Sequence, residues 1–331
     1  LKMLKQNRLL ALAEKALTAI LLVASGACFA QAGYPSKPVK LVVGFAAGGP
    51  TDVVARAFAD HAARALGQPF VVENKPGANT ILAAQAVASA PADGYTLLFG
   101  ATNHTMIPAL YGTRVKFDAV KSFQPLCTVA TSPTVLVVGP GMPVKSLADY
   151  MARARKEPRR TTAGTAGVGS SGHFATEIFA RANGLQLNHV PYKGAAPVVT
   201  DLMGGQLDSS FATLGSVLPQ LRAGKLAALA VASPKRSPLL PGVPTFAEAG
   251  GGNYSADAWY GVLAPAVLPQ PIAQQLEKAA GDFAASTAAA EKLRGLGLDA
   301  DSTCGLAFAQ QVEREVATYM QIARDLNLKA E

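Results

Sequence analysis

Cysteine and histidine are scarce in this chain, three and four in 331 residues. Cys28, Cys127 and Cys304 are too few and too far apart for a metal motif or a disulfide framework. His61, His104, His173 and His189 lack zinc spacing, and no Gly-Lys-Ser/Thr phosphate loop occurs. Neither Ser170 nor Ser171 has glycine two positions before and two after it, so a nucleophile elbow is missing. Paired carboxylates beside a loop are also missing, which weighs against an enzyme. Basic residues cluster at Arg153, Arg155, Lys156, Arg159 and Arg160, but no aromatics interleave with them and no nucleic-acid module is recognisable. A solvated helix end followed by a loop accounts for that cluster.

Long apolar runs are equally absent. The run from Ala16 to Ala24 falls short of the roughly 20 residues that a membrane-spanning helix needs. It follows the basic residues Lys2, Lys5 and Arg8 and precedes Ala30-Gln31-Ala32, the layout of a cleaved export signal over residues 1–32. Cys28 raises lipid attachment, but Ala24-Ser25-Gly26-Ala27 lacks the leucine of a lipobox, so plain secretion is the expectation. The leader carries four basic residues and one acidic, so its removal takes the formal charge from +8 to +5. Cys127 and Cys304 remain in the mature chain. An oxidising compartment permits a bridge between them, spacing does not decide it, and two buried thiols are expected.

What is present is an alternation of short β-rich runs and helical stretches, the pattern of an α/β protein with mostly parallel sheets. Expected strands are 39–45, 70–73, 96–99, 134–138, 188–192, 207–211 and 226–232. Expected helices are 51–66, 79–90, 147–156, 172–183, 195–203, 271–285 and 306–326. Proline and glycine at Gly139-Pro140-Gly141 and from Pro234 to Gly252 punctuate the chain. They suggest residues 33–130 and 250–331 in one lobe and 131–249 in a second, with two crossings that form a hinge.

Two glycine-rich loops stand out. The first, Phe45-Ala46-Ala47-Gly48-Gly49-Pro50-Thr51-Asp52, joins a strand to a helix. Its glycines permit a tight turn and close ligand approach, Pro50 suits the first helical position, and Asp52 can cap from the third. The first amides of a helix lack internal acceptors and sit at its positive end, which suits a carboxylate. The second loop, Thr165-Ala166-Gly167-Val168-Gly169-Ser170-Ser171-Gly172-His173, also precedes a helix. It satisfies Gly-x-Gly-x-x-Gly, but the acidic residue that a dinucleotide site needs about 20 positions on is missing. What survives is an anion nest with two serine hydroxyls added.

Around these loops the sequence resembles the Bug receptors, the extracytoplasmic solute receptors of tripartite tricarboxylate transporters. The likeness runs through Tyr34-Pro35-Ser36-Lys37-Pro38, Gly48-Gly49 with Thr51-Asp52, Val72-Glu73-Asn74-Lys75-Pro76-Gly77-Ala78 and Asp93-Gly94-Tyr95-Thr96. It continues through Val190-Pro191-Tyr192-Lys193-Gly194, Pro241-Gly242-Val243-Pro244-Thr245 and Ala258-Trp259-Tyr260-Gly261. The resemblance implies a periplasmic-binding-protein fold of type II: two α/β lobes, a hinge and an interlobe cleft that closes on a small carboxylated metabolite. Backbone amides and bridging waters of the two loops would grip one carboxylate. It implies a periplasmic monomer that hands its ligand to transporter membrane subunits or to a sensor protein, with no catalysis, cofactor, metal or nucleic acid. A ligand-sensing adaptor without transport is the alternative, and a hydrolase a remoter one.

The chain also departs from the family. Its first loop usually reads Pro-Phe-Ala-Pro-Gly-Gly-Ser-Thr-Asp; here Gly44, Ala47 and Pro50 replace the two prolines and the serine. Ala212-Thr213 stands where relatives often carry Asp-Asn, which puts amino-acid ligands in doubt and leaves di- and tricarboxylates or aromatic acids. The expected ligand contacts are Phe45, Ala47, Gly48, Gly49, Thr51, Asp52, Thr102, Asn103, Thr165, Ala166, Gly167, Gly169, Ser170, Ser171, His173 and Thr213. Thr51, Ser170 and Asn103 are the expected side-chain donors, and Asn103 and His104 set local specificity.

Overall fold

The computed structural model describes residues 33–253 and 256–328; the expected export signal lies outside them. By its internal contacts the chain divides after Ser36, and everything below concerns the unit that begins at Lys37. The strands are β1 (Val39–Val43), β2 (Phe70–Asn74), β3 (Thr96–Ala101), β4 (Phe123–Ser132), β5 (Thr134–Val138), β6 (Thr162–Thr165), β7 (Asn188–Pro191), β8 (Ser209–Thr213), β9 (Ala227–Val231), β10 (Ala258–Pro265) and β11 (Asp299–Ala300). The helices are α1 (Pro50–Leu66), α2 (Ile81–Ala88), α3 (Asn103–Tyr111), α4 (Leu147–Lys156), α5 (Ser171–Ala182), α6 (Ala195–Met203), α7 (Leu214–Arg222), α8 (Gln270–Ala285), α9 (Thr287–Gly295) and α10 (Gly305–Leu326).

Two sheets result, ordered β11-β4-β10-β3-β1-β2 and β7-β6-β8-β5-β9. They are mixed, which corrects the expectation of mostly parallel sheets. In each, the strand that arrives from the other sheet, β10 or β5, runs antiparallel to both its neighbours, whereas β1 pairs β2 and β3, and β6 pairs β7 and β8, in parallel. The run Thr-Val-Leu-Val-Val of β5 is buried at every position. Successive strand side chains point to opposite faces. Leu136 and Val138 therefore pack with Phe179, Phe211 and Phe246 on one face, and Val135 and Val137 with Val198, Leu202 and Val217 on the other. A sheet covered on both sides needs such an unbroken apolar run.

Sequence reading missed β4, β6, β10, β11, α3, α7 and α9, for physical reasons. Pro108 and Pro219 lie inside α3 and α7, where proline argues against a helix. Pro125 and Gly261 interrupt β4 and β10, and the register between those strands slips at Tyr260/Gly261 and again at Val262/Leu263. β6 is four residues of threonine, alanine and glycine with little apolar signal.

The chain passes between the sheets twice, at Pro133 and between β9 and β10. The crossings lie side by side: Thr134 Oγ1 donates to the Ala256 carbonyl (2.6 Å), Ala232 N–H to that of Thr134 (2.7 Å) and Ala256 N–H to that of Ala232 (2.9 Å). Ser132 Oγ accepts from Gly215 N–H and donates to the Gly297 carbonyl, tying elements of both sheets to one hydroxyl.

The expectation of two buried thiols is overturned. Cys127 of β4 and Cys304, just before α10, are disulfide-bonded across an antiparallel bridge. The pairing was hidden because 177 residues separate them, and only the return of the chain from the second sheet brings them together. Closing so long a loop restricts the unfolded chain. The Cys127→Ala/Cys304→Ala double variant should lose about 2–5 kcal/mol in urea unfolding. Reductant should lower the wild-type midpoint and leave that of the double variant unmoved.

Candidate functional site

Loop one leaves β1 and enters α1 through the N-cap Gly49. Its geometry is held from within. Asp52 reaches back one position further than a capping box: Oδ2 accepts from Gly48 N–H (2.9 Å) and Arg56 Nε (2.9 Å), while Oδ1 accepts from Asn74 Nδ2 (2.8 Å). Asn74 Nδ2 also donates to the Phe45 carbonyl at 3.0 Å. Asp52, expected as a ligand contact, is therefore a saturated brace. Burial alone would raise its pKa, but the bonds from Arg56, Gly48 and Asn74 outweigh that and hold it below 3.8. Ala47 and Gly48 are exposed, and Phe45 and Gly49 half-buried. Thr51 is buried, and among the described residues its hydroxyl and amide find no partner.

Loop two leaves β6 and enters α5. Ser170 is the N-cap: its Oγ accepts from His173 N–H (3.2 Å) and donates to the Gly167 carbonyl (2.8 Å). Its single proton is used, so Ser170 is not the free donor that was expected. His173 is buried, and its Nδ1 accepts from Gly169 N–H (3.2 Å). Its ring stacks on His189, centroids 4.4 Å apart. Burial, with His189 adding to it, takes His173 down to about 3, and burial takes His189 down to about 4, so the pair is neutral at pH 7. Thr165 Oγ1 faces His189 Nε2 at 2.7 Å and is likewise turned inward. His173, Glu177 and His189 bring candidate ligand atoms within 4.8 Å of one another. Nδ1 of His173 and Nε2 of His189 are already bonded.

Behind loop two a recess of about 40 Å³ opens between α5, α6, α7 and the end of β8. Ser171, Ala195, Val199, Ala212, Thr213 and Ser216 are among its walls, and no charged side chain lines it. Ala166, Ser170 and Gly172 line it too. The space fits about three waters, or one carboxylate group. Three helices begin at its rim, capped by Ser170, Gly194 and Thr213. The positive ends of all three converge there, with unpaired amides at the starts of α5 and α6, whereas the first two amides of α7 bond the Pro133 carbonyl and Ser132 Oγ. Among the described residues the Ser171 hydroxyl has no partner. Thr213 Oγ1 bonds Ser216 Oγ (2.8 Å) and also meets Tyr260 of the first sheet, whose phenol burial pushes up to about 12 while the Thr213 bond lowers it.

The connection between the loops is a segment that sequence reading placed in a helix over 79–90. Instead, Ala78, Asn79 and Thr80 are left-handed (φ 46°, 50° and 69°), and α2 starts only at Ile81. Thr80 packs so closely on Gly44 that a side chain at 44 would overlap it. On its other side the Asn79 amide occupies the space that a side chain on Gly169 would take. Gly44 leads into loop one and Gly169 belongs to loop two, so residues 78–80 bridge them. Asn103, expected to face ligand, spends both amide protons here, on Thr80 Oγ1 (2.6 Å) and the Asn79 carbonyl (3.4 Å). Thr102 is equally occupied, its Oγ1 accepting from Trp259 N–H at 2.7 Å. His104 is a core residue: its Nε2 meets the Ala119 carbonyl at 2.8 Å, and burial lowers it to about 4. His61 lies edge-on to Phe283 of α8.

A sequence model described as the tripartite tricarboxylate transporter family receptor matches residues 54–328. The chain belongs to that family. The protein BugT of Bordetella pertussis is 36% identical over 233 residues, 70% of this chain and 72% of its own. Rpa4515 of R. palustris, solved with adipate, superposes with a TM-score of 0.84 at 35% identity, covering 90% of this chain and all of that one. MatC of Rhodopseudomonas palustris, solved with bound malate, gives 0.80 at 31% identity, covering 87% and 99%. Membership makes the fold that of a periplasmic solute-binding protein of two α/β lobes, and the family is one of receptors rather than enzymes.

In this receptor the Asp52 brace can be tested alone. Asp52→Asn should cost about 1.5–3 kcal/mol at pH 7, the range for hydrogen bonds to a charged group. Because the folded-state pKa lies below the unfolded one, the carboxylate's contribution is complete above pH 4 and fades as pH falls through the lowered value. The gap between wild type and variant in urea unfolding should therefore narrow on acidification.

Proposed function

We propose that this protein is an exported receptor that captures a small organic carboxylate between two lobes and delivers it to the membrane subunits of a tripartite transporter. The lobes are 33–130 with 250–331, and 131–249, hinged where Pro133 and the return to β10 run side by side. The observation that carries this reading is the recess at loop two. Its positive potential comes from three helix N-termini and neutral donors, a setting that accepts an anion without a buried counter-charge. One carboxylate seats there, and the open amides of Gly49 and Thr51 in loop one face the same guest. The relatives solved with adipate and malate support a di-acid of four to six carbons. A receptor without catalysis is the reading that the family supports, and the Ser170 proton is committed to a carbonyl.

A thermal-shift panel of C4 to C6 di- and tricarboxylates, acidic amino acids and aromatic acids tests the reading. At about 100 times its dissociation constant one carboxylate should add about 2.7 kcal/mol, a rise of roughly 5 °C in Tm. A panel in which no carboxylate moves the transition removes the proposal.

A further inference from the structure

We infer that Asn79 is a ligand-binding side chain of this receptor, donating its amide Nδ2 to the bound carboxylate at the point where the two loops meet. The inference rests on the carboxylate-receptor reading and goes beyond it by naming a residue outside both glycine-rich loops.

Three observations carry it. Asn79 Nδ2 is buried and has no hydrogen-bond partner, and a buried donor left in that state costs about 1–3 kcal/mol unless something supplies an acceptor. The same amide lies against Gly169 of loop two, while Thr80 beside it packs on Gly44 at the start of loop one. The unpartnered donor thus lies at the junction of the two loops. Finally, the backbone that presents it is strained on purpose. Three successive non-glycine residues hold positive φ, which costs on the order of 1–2 kcal/mol each. The neighbouring Asn103 amide spends both protons fastening that turn. Strain that the surroundings over-determine is characteristic of ligand clamps.

Together these divide the labour between two asparagines. Asn103 is a positioning residue that never reaches the guest, and Asn79 is the donor that does. A carboxylate oxygen is the acceptor that satisfies an amide N–H most strongly, because the bond is charge-assisted. A cationic or acceptor-poor guest would leave the amide as unsatisfied as it is without one.

The test uses the carboxylate that binds the wild-type mature protein most tightly in the panel, with adipate and malate as the first probes, and reads affinity by calorimetry. Two substitutions keep the left-handed backbone: Asn79→Gly, which removes the amide, and Asn79→Asp, which keeps its size and turns the donor into a negative acceptor. Asn79→Gly should weaken binding about ten- to a hundredfold, and Asn79→Asp by more, through repulsion of the carboxylate. Unliganded Tm should stay level or rise in Asn79→Gly, which relieves backbone strain. A purely packing role predicts the opposite order, with the isosteric Asn79→Asp milder than Asn79→Gly, and that order overturns the inference. So does unchanged affinity in both variants while wild type binds. If wild type itself binds no carboxylate, it is the receptor reading that falls.

Discussion

Unpaired main-chain amides govern this molecule. A helix cannot satisfy its first N–H groups internally, and here three helices of the second sheet begin around one small recess while α1 begins at loop one. In the proposed reading a carboxylate meets that demand and also answers the positive end of each helix. The remaining architecture keeps these ends aligned. Buried strands such as β5 fix the helices on both faces of a sheet, the Asp52 brace fixes the loop before α1, and the neutral stacked histidines hold the Gly169 amide in place.

Neutrality of the recess matters as much as its polarity. An arginine there would bind an anion strongly but would need a counter-charge when the guest is absent. Dipoles and hydroxyls carry no such obligation. The charged groups near the site, Asp52 and Arg56, are turned on one another and serve geometry. The three inward histidines titrate far below neutrality because burial penalises their charged forms.

Much of this was legible in the chain. The loops at Gly48 and Gly169 announce themselves through strand, glycines and helix start, and α4, α6 and β5 have the limits their apolar periodicity suggests. Family motifs from Val72 to Gly261 mark the receptor class. Side-chain assignments within the loops fared worse. Ser170, Asn103 and Thr165 are residue types that donate to carboxylates, but they, like Asp52, are equally the types that cap helices and brace turns. Which role each takes depends on where its second partner lies, and that partner is 22 to 24 positions away for Asn74, Asn103 and His189. Gly44, which stands where the family usually has proline, makes room for Thr80 and the turn that carries Asn79.

The sequence by itself determined the class of protein, the alternation of strands and helices, and the two places where backbone amides are left open, because these follow from local pattern and from chemistry within a few residues. Only the tertiary structure decided that the sheets are mixed, that Cys127 and Cys304 are joined, and that residues 78–80 form a left-handed bridge between the loops. Each of those depends on segments brought together by the chain's double passage between sheets. No window of neighbouring residues contains that information.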